Sequence, residues 1–257
     1  MTICASVKVR DGLVLATDSM SQIQGQDAAT GAIGVVKTYS NARKLFQAAK
    51  LPIGVMSHGI GNIGNRSIQG FMREFSPTAD TVQEVAECLF EFIRSPYDSE
   101  FASLKPDQRP VLGFFVAGYS KSKPFAEEWE FLMPRDQGPK AVRPETVFGA
   151  SWRGIDLPFT RLYKGFDPRI RQKLRNANLS DEKIKEILDG FESAVVFDGM
   201  PVQDAINFAA YIVRVTIGLA TFEAGPPSCG GPLQVAAILP DSGFEWVMNP
   251  TFAVHDM

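Results

Sequence analysis

The sequence predicts an α+β fold, a four-layer αββα sandwich in which two antiparallel sheets pack together and helices cover both outer faces. Two observations predict it. Strand-like apolar segments occur at the beginning, in the middle and at the end of the chain, and two groups of helix-like segments separate them. Tight turns join neighbouring strand-like segments, which favours antiparallel pairing. With 257 residues, of which 45% are hydrophobic and 21% charged, the chain can bury such a core as a single domain over residues 2–257.

The chain opens with a predicted β-hairpin. Residues 2–9 are apolar and β-branched, residues 13–16 continue as a second strand, and Asp11-Gly12 between them supplies the tight turn. The two strands have similar lengths, so the hairpin brings its two ends together. Thr2 and Asp18 are therefore expected at the same end of the sheet.

More strands are expected before the first helix. Residues 21–34 are rich in Gln, Gly, Ala and Asp, and they are predicted to form a loop. Residues 35–36 and 44–46 are predicted to pair as a hairpin with Asn41 in its turn. Residues 51–56 form a short apolar strand that ends at Ser57-His58-Gly59.

Two helices and a second set of strands follow. Apolar residues recur at helical spacing over 60–75 and again over 82–93, where Asp80 is the expected N-cap of the second helix. The apolar run 111–119 predicts a strand that is buried on both faces. Residues 125–133 and 141–148 are predicted to be further strands.

The last part of the chain begins with a charged segment. Residues 156–198 are predicted to form a helical insertion or surface layer, which includes a helix capped by Ser180. Residues 202–222 predict a long buried helix rather than a membrane span, because Arg214 lies within it. Residues 233–239 and 244–248 predict a closing hairpin.

Composition excludes several functional classes. The net charge of -3 provides no basic surface for nucleic acid or for an anionic membrane. Three scattered cysteines favour a reducing compartment over a disulfide framework, and two histidines without a cysteine cluster argue against a metal site. Charged residues among the first twenty positions argue against a secretory signal, so the expected location is the cytoplasm.

Thr2 carries the chemistry that the sequence suggests. Removal of Met1 would leave a threonine with a free α-amine at the new N-terminus. A hydroxyl and an amine on the same residue form a nucleophile with its own base. The α-amine titrates near pH ~8, so a useful fraction of it is neutral in a cell and can take the hydroxyl proton.

Motifs across the chain resemble proteasome β-type subunits, which are N-terminal nucleophile hydrolases of the threonine type. They are Thr2-Ile3 with Asp-Gly-Leu-Val-Leu-Ala-Thr-Asp-Ser at 11–19, Asn-Ala-Arg-Lys at 41–44, the strand and small-residue turn at 51–59, Gly-Ala-Ser at 149–151 and Ser-Cys-Gly-Gly at 228–231. The similarity is strongest over residues 2–75. Among bacterial branches, the chain resembles the proteasome homologue BPH first, with Anbu and the HslV-like peptidases next.

The resemblance implies a catalytic role for four residues. Thr2 Oγ would attack a peptide carbonyl, and the Thr2 amine would relay the proton. Lys44 would place a cation beside the hydroxyl, and Asp18 would hold Lys44 in position. Ser151 would hydrogen-bond the terminal amine.

The resemblance also implies the surroundings of the scissile bond. Backbone N–H groups at His58 and Gly59 would bind the oxyanion. Met56, Ile60 and Ala42 would line the first specificity pocket, whose apolar character favours cleavage after large apolar residues. The chain departs from the family at two of its positions: His58 replaces a glycine, and Pro226 replaces a supporting aspartate.

The resulting prediction is a threonine endopeptidase that works inside a self-assembled ring on peptides or unfolded proteins. The family implies a double heptameric ring and no metal or organic cofactor. An ATPase partner is compatible with this function, although no residue pattern identifies one. Two alternatives stay open: an N-terminal nucleophile amidase that acts on a small molecule, and a non-catalytic ring or scaffold subunit that retains Met1.

Overall fold

The computed structural model describes residues 2–26, 31, 33–48 and 50–249, in which fourteen strands and six α-helices occur. The strands are β1 (Ile3–Val9), β2 (Gly12–Thr17), β3 (Ser21–Gln26), β4 (Ile33–Tyr39), β5 (Leu45–Gln47), β6 (Ile53–Gly59), β7 (Asn62–Ile63), β8 (Arg66–Ser67), β9 (Leu112–Gly118), β10 (Glu127–Met133), β11 (Lys140–Ala141), β12 (Gly149–Gly154), β13 (Gln234–Leu239) and β14 (Gly243–Met248). The helices are α1 (Ile68–Glu74), α2 (Val82–Glu100), α3 (Leu157–Lys164), α4 (Ile170–Asn176), α5 (Asp181–Leu188) and α6 (Val202–Phe222).

Two five-stranded antiparallel sheets form the centre of the molecule. The first has the strand order β12-β1-β2-β13-β14, and the second has the order β11-β10-β9-β6-β5. Helix α6 packs on β1, β2 and β13, whereas α2 packs on β9 and β10. The four-layer αββα architecture predicted from the sequence is therefore confirmed.

Three apolar clusters hold these layers together. One joins α1 and α2 to the second sheet, another joins α3 and α6 to the first sheet, and the third lies between the two sheets. The alternation of side chains along a strand explains why β1 serves two of them. Ile3, Ala5 and Val7 face α6, whereas Cys4 faces the second sheet.

Helix α2 follows the predicted apolar stripe, but its cap differs from the prediction. Val82, Val85 and Leu89 are fully buried. The N-cap is Thr81 rather than Asp80, because the Thr81 side chain accepts from Glu84 N while the Glu84 carboxylate accepts from the Thr81 backbone. This reciprocal capping box satisfies two backbone donors at the helix start.

A β-hairpin replaces the loop predicted at 21–34. Strands β3 and β4 pair from Ser21 opposite Tyr39 to Gln26 opposite Ile33, and residues 27–30 and 32 lie outside the described part. The predicted pairing of 35–36 with 44–46 is also wrong, because β5 pairs with β6. The hairpin belongs to neither large sheet, so its strands lack the apolar periodicity that would have predicted them.

Two other boundaries differ from the sequence prediction. Helix α1 begins at Ile68 rather than at residue 60, because the small β7–β8 hairpin occupies 62–67 and Ser67 caps the helix. The strand expected at 141–148 lies instead at Gly149–Gly154. Its position matters for the site because β12 flanks β1.

Helix α6 is apolar on two faces. Ala209, Ile212 and Val213 are buried against the first sheet, whereas Tyr211 and Phe222 are 46% and 89% exposed. By length and composition the helix could cross a membrane, as the core helices of many soluble proteins also could. The predicted buried helix is therefore buried along one side only.

The charged segment contains three short helices. Helix α3 packs on α6 through the buried Phe159, and α4 contacts α5. Ser180 caps α5, since its hydroxyl accepts from Lys183 N at 3.3 Å. The helical content predicted for this segment is present, and its status as an insertion stays a prediction.

Candidate active site

The first hairpin brings Thr2 and Asp18 to one end of the first sheet. In the β1–β2 ladder Cys4 lies opposite Thr17, so the residues beyond each strand end meet. The third strand, β12, reaches the same end, where Ile155 N donates to Thr2 O at 2.8 Å. Thr2 therefore lies where three neighbouring strands end, as the hairpin length predicts.

Asp18 is fully buried, and four donors surround its carboxylate. Oδ1 accepts from Ile3 N at 3.2 Å and from Lys44 Nζ at 2.9 Å. Oδ2 accepts from Met20 N and Gly230 N, each at 3.1 Å. Three backbone donors and one ammonium group thus fix the carboxylate rigidly, which orients Lys44 in turn.

Lys44 and Thr2 line the same cleft, which has a volume of about 140 Å³. The Lys44 side chain is only 9% exposed and is paired with the buried Asp18. The structure therefore brings together three of the four predicted catalytic residues. The predicted removal of Met1 concerns a residue outside the described part.

The buried side chain of Gln234 holds the Lys44 segment in place. Its Oε1 accepts from Lys44 N at 3.0 Å and Leu45 N at 3.1 Å, while its Nε2 donates to Ala42 O at 2.7 Å. Gln234 begins β13, which pairs with β2. One amide thus ties the lysine segment to the sheet that carries Thr2.

The turn at 228–231 closes the site from the other side. Ser19 Oγ contacts Ser40 O at 2.6 Å and Pro232 O at 2.7 Å, and Ser19 N donates to Gly230 O. Gly231 has a φ of +76°, and a Cβ there would lie 2.3 Å from Ser40 O. Only glycine fits this position, because the chain both turns left-handed and meets a backbone oxygen.

The strand β6 directs one predicted oxyanion donor toward the cleft. Ser57 N donates to Lys44 O at 3.0 Å on the β5 side of β6. Successive N–H groups of a strand point to opposite edges, so His58 N–H points toward β9 and Gly59 N–H points past the end of β5. Gly59 is thus the better placed of the two predicted donors.

His58 lines the cleft, and its imidazole extends into the space between the sheets. A Cβ on Gly113 would lie 2.3 Å from His58 Nε2, so the ring fills the space above that glycine of β9. Burial, with a further contribution from Arg153, lowers the pKa of His58 to about 4. His58 is therefore neutral at neutral pH, and its side chain does not place a cation in the site.

The predicted specificity pocket is only partly formed as expected. Ala42 and Ile60 line the cleft, but Met56 is 1% exposed and packs in the apolar cluster between the sheets. Side chains that the sequence did not single out complete the lining, among them Met20 and Ile68. The lining is partly apolar, as predicted, but some of the residues that supply its apolar surface differ from the predicted ones.

Ser151 does not reach Thr2. It lies opposite Ser6 in the β1–β12 ladder, whereas Gly154, three residues later, lies opposite Ile3 beside Thr2. The Ser151 hydroxyl contacts the Arg143 guanidinium. The predicted bond from Ser151 to the terminal amine is therefore wrong, because β12 continues beyond the motif on which the prediction rested.

Arg143 and Glu128 form a second buried ion pair, between the sheets. Arg143 Nε lies 2.5 Å from Glu128 Oε2, without the alignment of a hydrogen bond, and Ser6 Oγ donates to Glu128 Oε1 at 2.6 Å. Ser6 belongs to the first sheet and Glu128 to the second. This pair and its serines connect the two sheets.

The two buried cysteines near the site are poor nucleophiles. Burial raises the pKa of Cys4 and that of Cys229 to about 12, so both thiols stay protonated. Among the described residues no cluster of three or more His, Cys, Asp or Glu side chains could hold a metal ion. The hydroxyl of Thr2 lines the same cleft as Lys44 and remains the predicted nucleophile.

Two larger clefts adjoin the Thr2 cleft. A cleft of about 640 Å³ extends along the β3–β4 hairpin and shares Ser21, Gln22 and Ile60 with the Thr2 cleft; it also contains Pro226. A cleft of about 450 Å³ lies on the other side and shares Arg43 and Gln69 with it. The Thr2 cleft is thus the middle of a longer depression.

Comparisons with known proteins identify the fold. No family model and no curated protein matches the chain. Solved structures do: Anbu (ancestral beta-subunit) from Yersinia bercovieri is 15% identical with a TM-score of 0.56, over 95% of this chain and 86% of that one. The Anbu Gly-1 mutant from Hyphomicrobium sp. strain MC1 is 12% identical with a TM-score of 0.56, over 96% and 87% of the two chains.

A third similar structure is the helical assembly of the Anbu complex from Pseudomonas aeruginosa. It is 16% identical with a TM-score of 0.55, and the match covers 97% of this chain and 88% of that one. At such identities the likeness concerns the fold. The choice of BPH as the first branch is not confirmed. The chain has the fold of the proteasome-like Anbu proteins along nearly its whole length.

Proposed function

We propose that this chain is a threonine-type endopeptidase subunit, active once Met1 is removed. One observation carries the proposal: Lys44, which is buried and paired with Asp18, lines the same cleft as Thr2. Burying a lysine charge costs free energy unless a partner of opposite charge offsets it, and Asp18 is that partner here. A charge kept buried beside a cleft is available to act on a group that enters the cleft. The proposal includes a cytoplasmic location, which the composition favours.

Each group of the cleft has a chemical task in this mechanism. The Thr2 amine takes the proton from the Thr2 hydroxyl, and Oγ attacks the carbonyl carbon of the scissile peptide bond. The Lys44 ammonium stabilises the negative charge on Oγ, while Asp18 keeps the ammonium in place at 2.9 Å. The same amine then returns the proton to the leaving amine, and water releases the acyl group from Oγ.

The Gly59 N–H is proposed to stabilise the oxyanion. Its orientation toward the cleft follows from the alternation along β6, and a backbone donor needs no reorganisation during the reaction. Ala42, Ile60 and Ile68 give the cleft an apolar wall. Substrates with a large apolar residue before the cleaved bond are therefore expected to react fastest.

We also propose that the chain self-associates. Peptidases that enclose their sites in an assembly admit peptides or unfolded proteins, which matches an open cleft of modest volume. The Pseudomonas aeruginosa Anbu complex is described as a helical assembly. Electron microscopy of the purified protein distinguishes a closed double heptameric ring from an open helical form.

Intact mass spectrometry tests the proposed nucleophile. A peptide epoxyketone bonds covalently to both the hydroxyl and the free amine of an N-terminal threonine. We expect loss of Met1 and one adduct per chain, with no adduct on Thr2→Ala. Retained Met1 without an adduct would contradict the peptidase proposal and favour the scaffold alternative. An adduct on a protein that cleaves amides but no peptide would favour the amidase.

A further inference from the structure

The cleft of about 450 Å³ beside the Thr2 cleft is lined by two arginines. Its lining includes Arg43 and Arg73, and Arg43 also borders the Thr2 cleft. Any extended chain that crosses the Thr2 cleft on this side would therefore pass one guanidinium and meet the other.

Within residues 2–26, 31, 33–48 and 50–249, no carboxylate balances the positive charge of this cleft. None of its described lining residues is acidic, and no ion pair joins Arg43 or Arg73 to a carboxylate in the described part of the chain. Glu74, next to Arg73 in sequence, pairs with Arg66 instead. Burial lowers the pKa of Arg43, and the positive charge of Arg73, which lines the same cleft, lowers it further.

The Arg43 guanidinium is held in one orientation. Its Cζ lies 5.0 Å from the centre of the Trp246 ring, and its Nη2 donates to Asn249 Oδ1 at 2.5 Å. Stacking on an aromatic ring leaves the in-plane N–H groups available for a carboxylate. Phe46 and Met72 supply apolar walls, and Gln69 supplies an amide, so the cleft suits a short apolar stem that ends in a negative group.

We propose that the Arg43–Arg73 cleft is a subsite for an acidic side chain of the substrate, on one side of the cleaved bond. This proposal rests on the proposed function, because it assumes a peptide in the Thr2 cleft. The apolar wall selects the residue at the cleaved bond, and the two arginines select a glutamate or aspartate at a second position. A carboxylate between them would relieve their repulsion and replace its water by charge-assisted hydrogen bonds.

Paired peptides test the subsite. Each peptide has one leucine at the cleavage position and one Glu, stepped through the three positions on either side, and each has a partner with Gln in place of Glu. We expect one position at which the Glu peptide has a kcat/KM about tenfold to a hundredfold above its Gln partner. Added salt should reduce this ratio, because screening weakens the attraction.

Two variants and one control assign the effect. Arg43→Gln and Arg73→Gln should each bring the ratio toward one, and because the ratio is taken within each variant, a change in its overall rate does not alter it. Arg171→Gln is the matched control, since Arg171 also has its Cζ near an aromatic ring, 5.6 Å from the Phe166 ring centre, but lies on α4. It should leave the ratio unchanged. If Arg171→Gln also lost the preference for Glu over Gln peptides, the preference would be a general effect of charge, and the subsite proposal would be wrong.

Binding to Thr2→Ala separates the two proposals. Fluorescence anisotropy with labelled Glu and Gln peptides reports the subsite without cleavage. Equal cleavage and equal binding of all pairs would overturn the subsite and leave the peptidase intact. Tighter Glu binding that both arginine variants abolish, without cleavage by the unaltered protein, would support the subsite and contradict the peptidase.

Discussion

Two buried ion pairs in the described part of the sandwich have similar burial and different neighbours. The Lys44–Asp18 pair has side chains 9% and 0% exposed, and the Arg143–Glu128 pair has side chains 12% and 0% exposed. Lys44 borders a cleft together with Thr2. Arg143 contacts the Ser151 hydroxyl and approaches Gly149 so closely that a Cβ there would lie 2.2 Å from its Nη1.

This comparison shows that a buried charge pair does not by itself identify a catalytic centre. Both pairs satisfy the requirement that buried charges be paired. The difference lies in what each pair can act on: the first has a hydroxyl and open space beside it, and the second has two packed strands. The first pair is therefore expected to control rate, and the second to control stability.

The largest expected effect is on peptide cleavage by Lys44→Met. Removing the cation that lines the cleft together with Thr2 should lower kcat/KM by about 10⁴-fold, as for other residues that act as a unit with the nucleophile. Circular dichroism and the assembly state check that the variant is folded, since Asp18 loses its partner. Lys44→Arg keeps the charge and is the matched folding control. Near-normal cleavage by a folded Lys44→Met would refute the role of the pair.

The next largest effect is on the stability of the protein when the Arg143–Glu128 pair is broken. Arg143→Met leaves Glu128 charged and enclosed, which should lower the free energy of unfolding by about 3–5 kcal/mol, measured by urea denaturation. The double variant Arg143→Met/Glu128→Leu should recover most of that loss, because an apolar pair needs no desolvation. Cleavage per folded molecule should stay normal in both. A large loss of activity at full stability would mean that the two pairs are coupled.

Much of the first pair could be predicted from the sequence. The position of the Asp-Gly turn fixes which residues meet at the hairpin ends, so Thr2 and Asp18 follow from local rules. The family motif at 41–44 then supplied Lys44. Local spacing could not supply Gln234, because it joins Ala42 and Lys44 across almost two hundred residues of chain.

The failures have a common physical origin in strand register. The motif at 149–151 predicts Ser151 beside Thr2, but the strand runs three residues further before it reaches Thr2, so Ser151 lies opposite Ser6. The family resemblance predicts Met56 in the pocket, but alternation along β6 directs its side chain between the sheets. The sequence does not predict the β3–β4 hairpin, because the hairpin forms a separate two-stranded sheet and its strands therefore lack an apolar alternation.

A smaller effect is the pH dependence of stability that His58 is expected to cause. His58 lies near the Arg153–Glu130 pair, and its pKa of about 4 lies below the unfolded value of about 6.5. The unfolded chain binds the proton first, so stability falls as pH decreases from about 6.5 to 4, by at most about 3 kcal/mol. Because carboxylates also titrate there, the measurement is the difference in urea stability between the unaltered protein and His58→Gln. An identical pH dependence in the two proteins would show that His58 is not the buried neutral group.

The smallest expected effect decides which pair Ser151 belongs to. Ser151→Ala removes one hydroxyl contact from the Arg143 guanidinium, which should cost about 1 kcal/mol of stability. Cleavage should stay normal, because Ser151 lies opposite Ser6 rather than beside Thr2. Ser6→Ala is the matched comparison on the facing strand, since it removes a donor from Glu128 and should also change stability alone. If Ser151→Ala instead lost about 10²-fold in kcat/KM at normal stability, its hydroxyl would act on the amine, and the register of β12 at the site would have to differ.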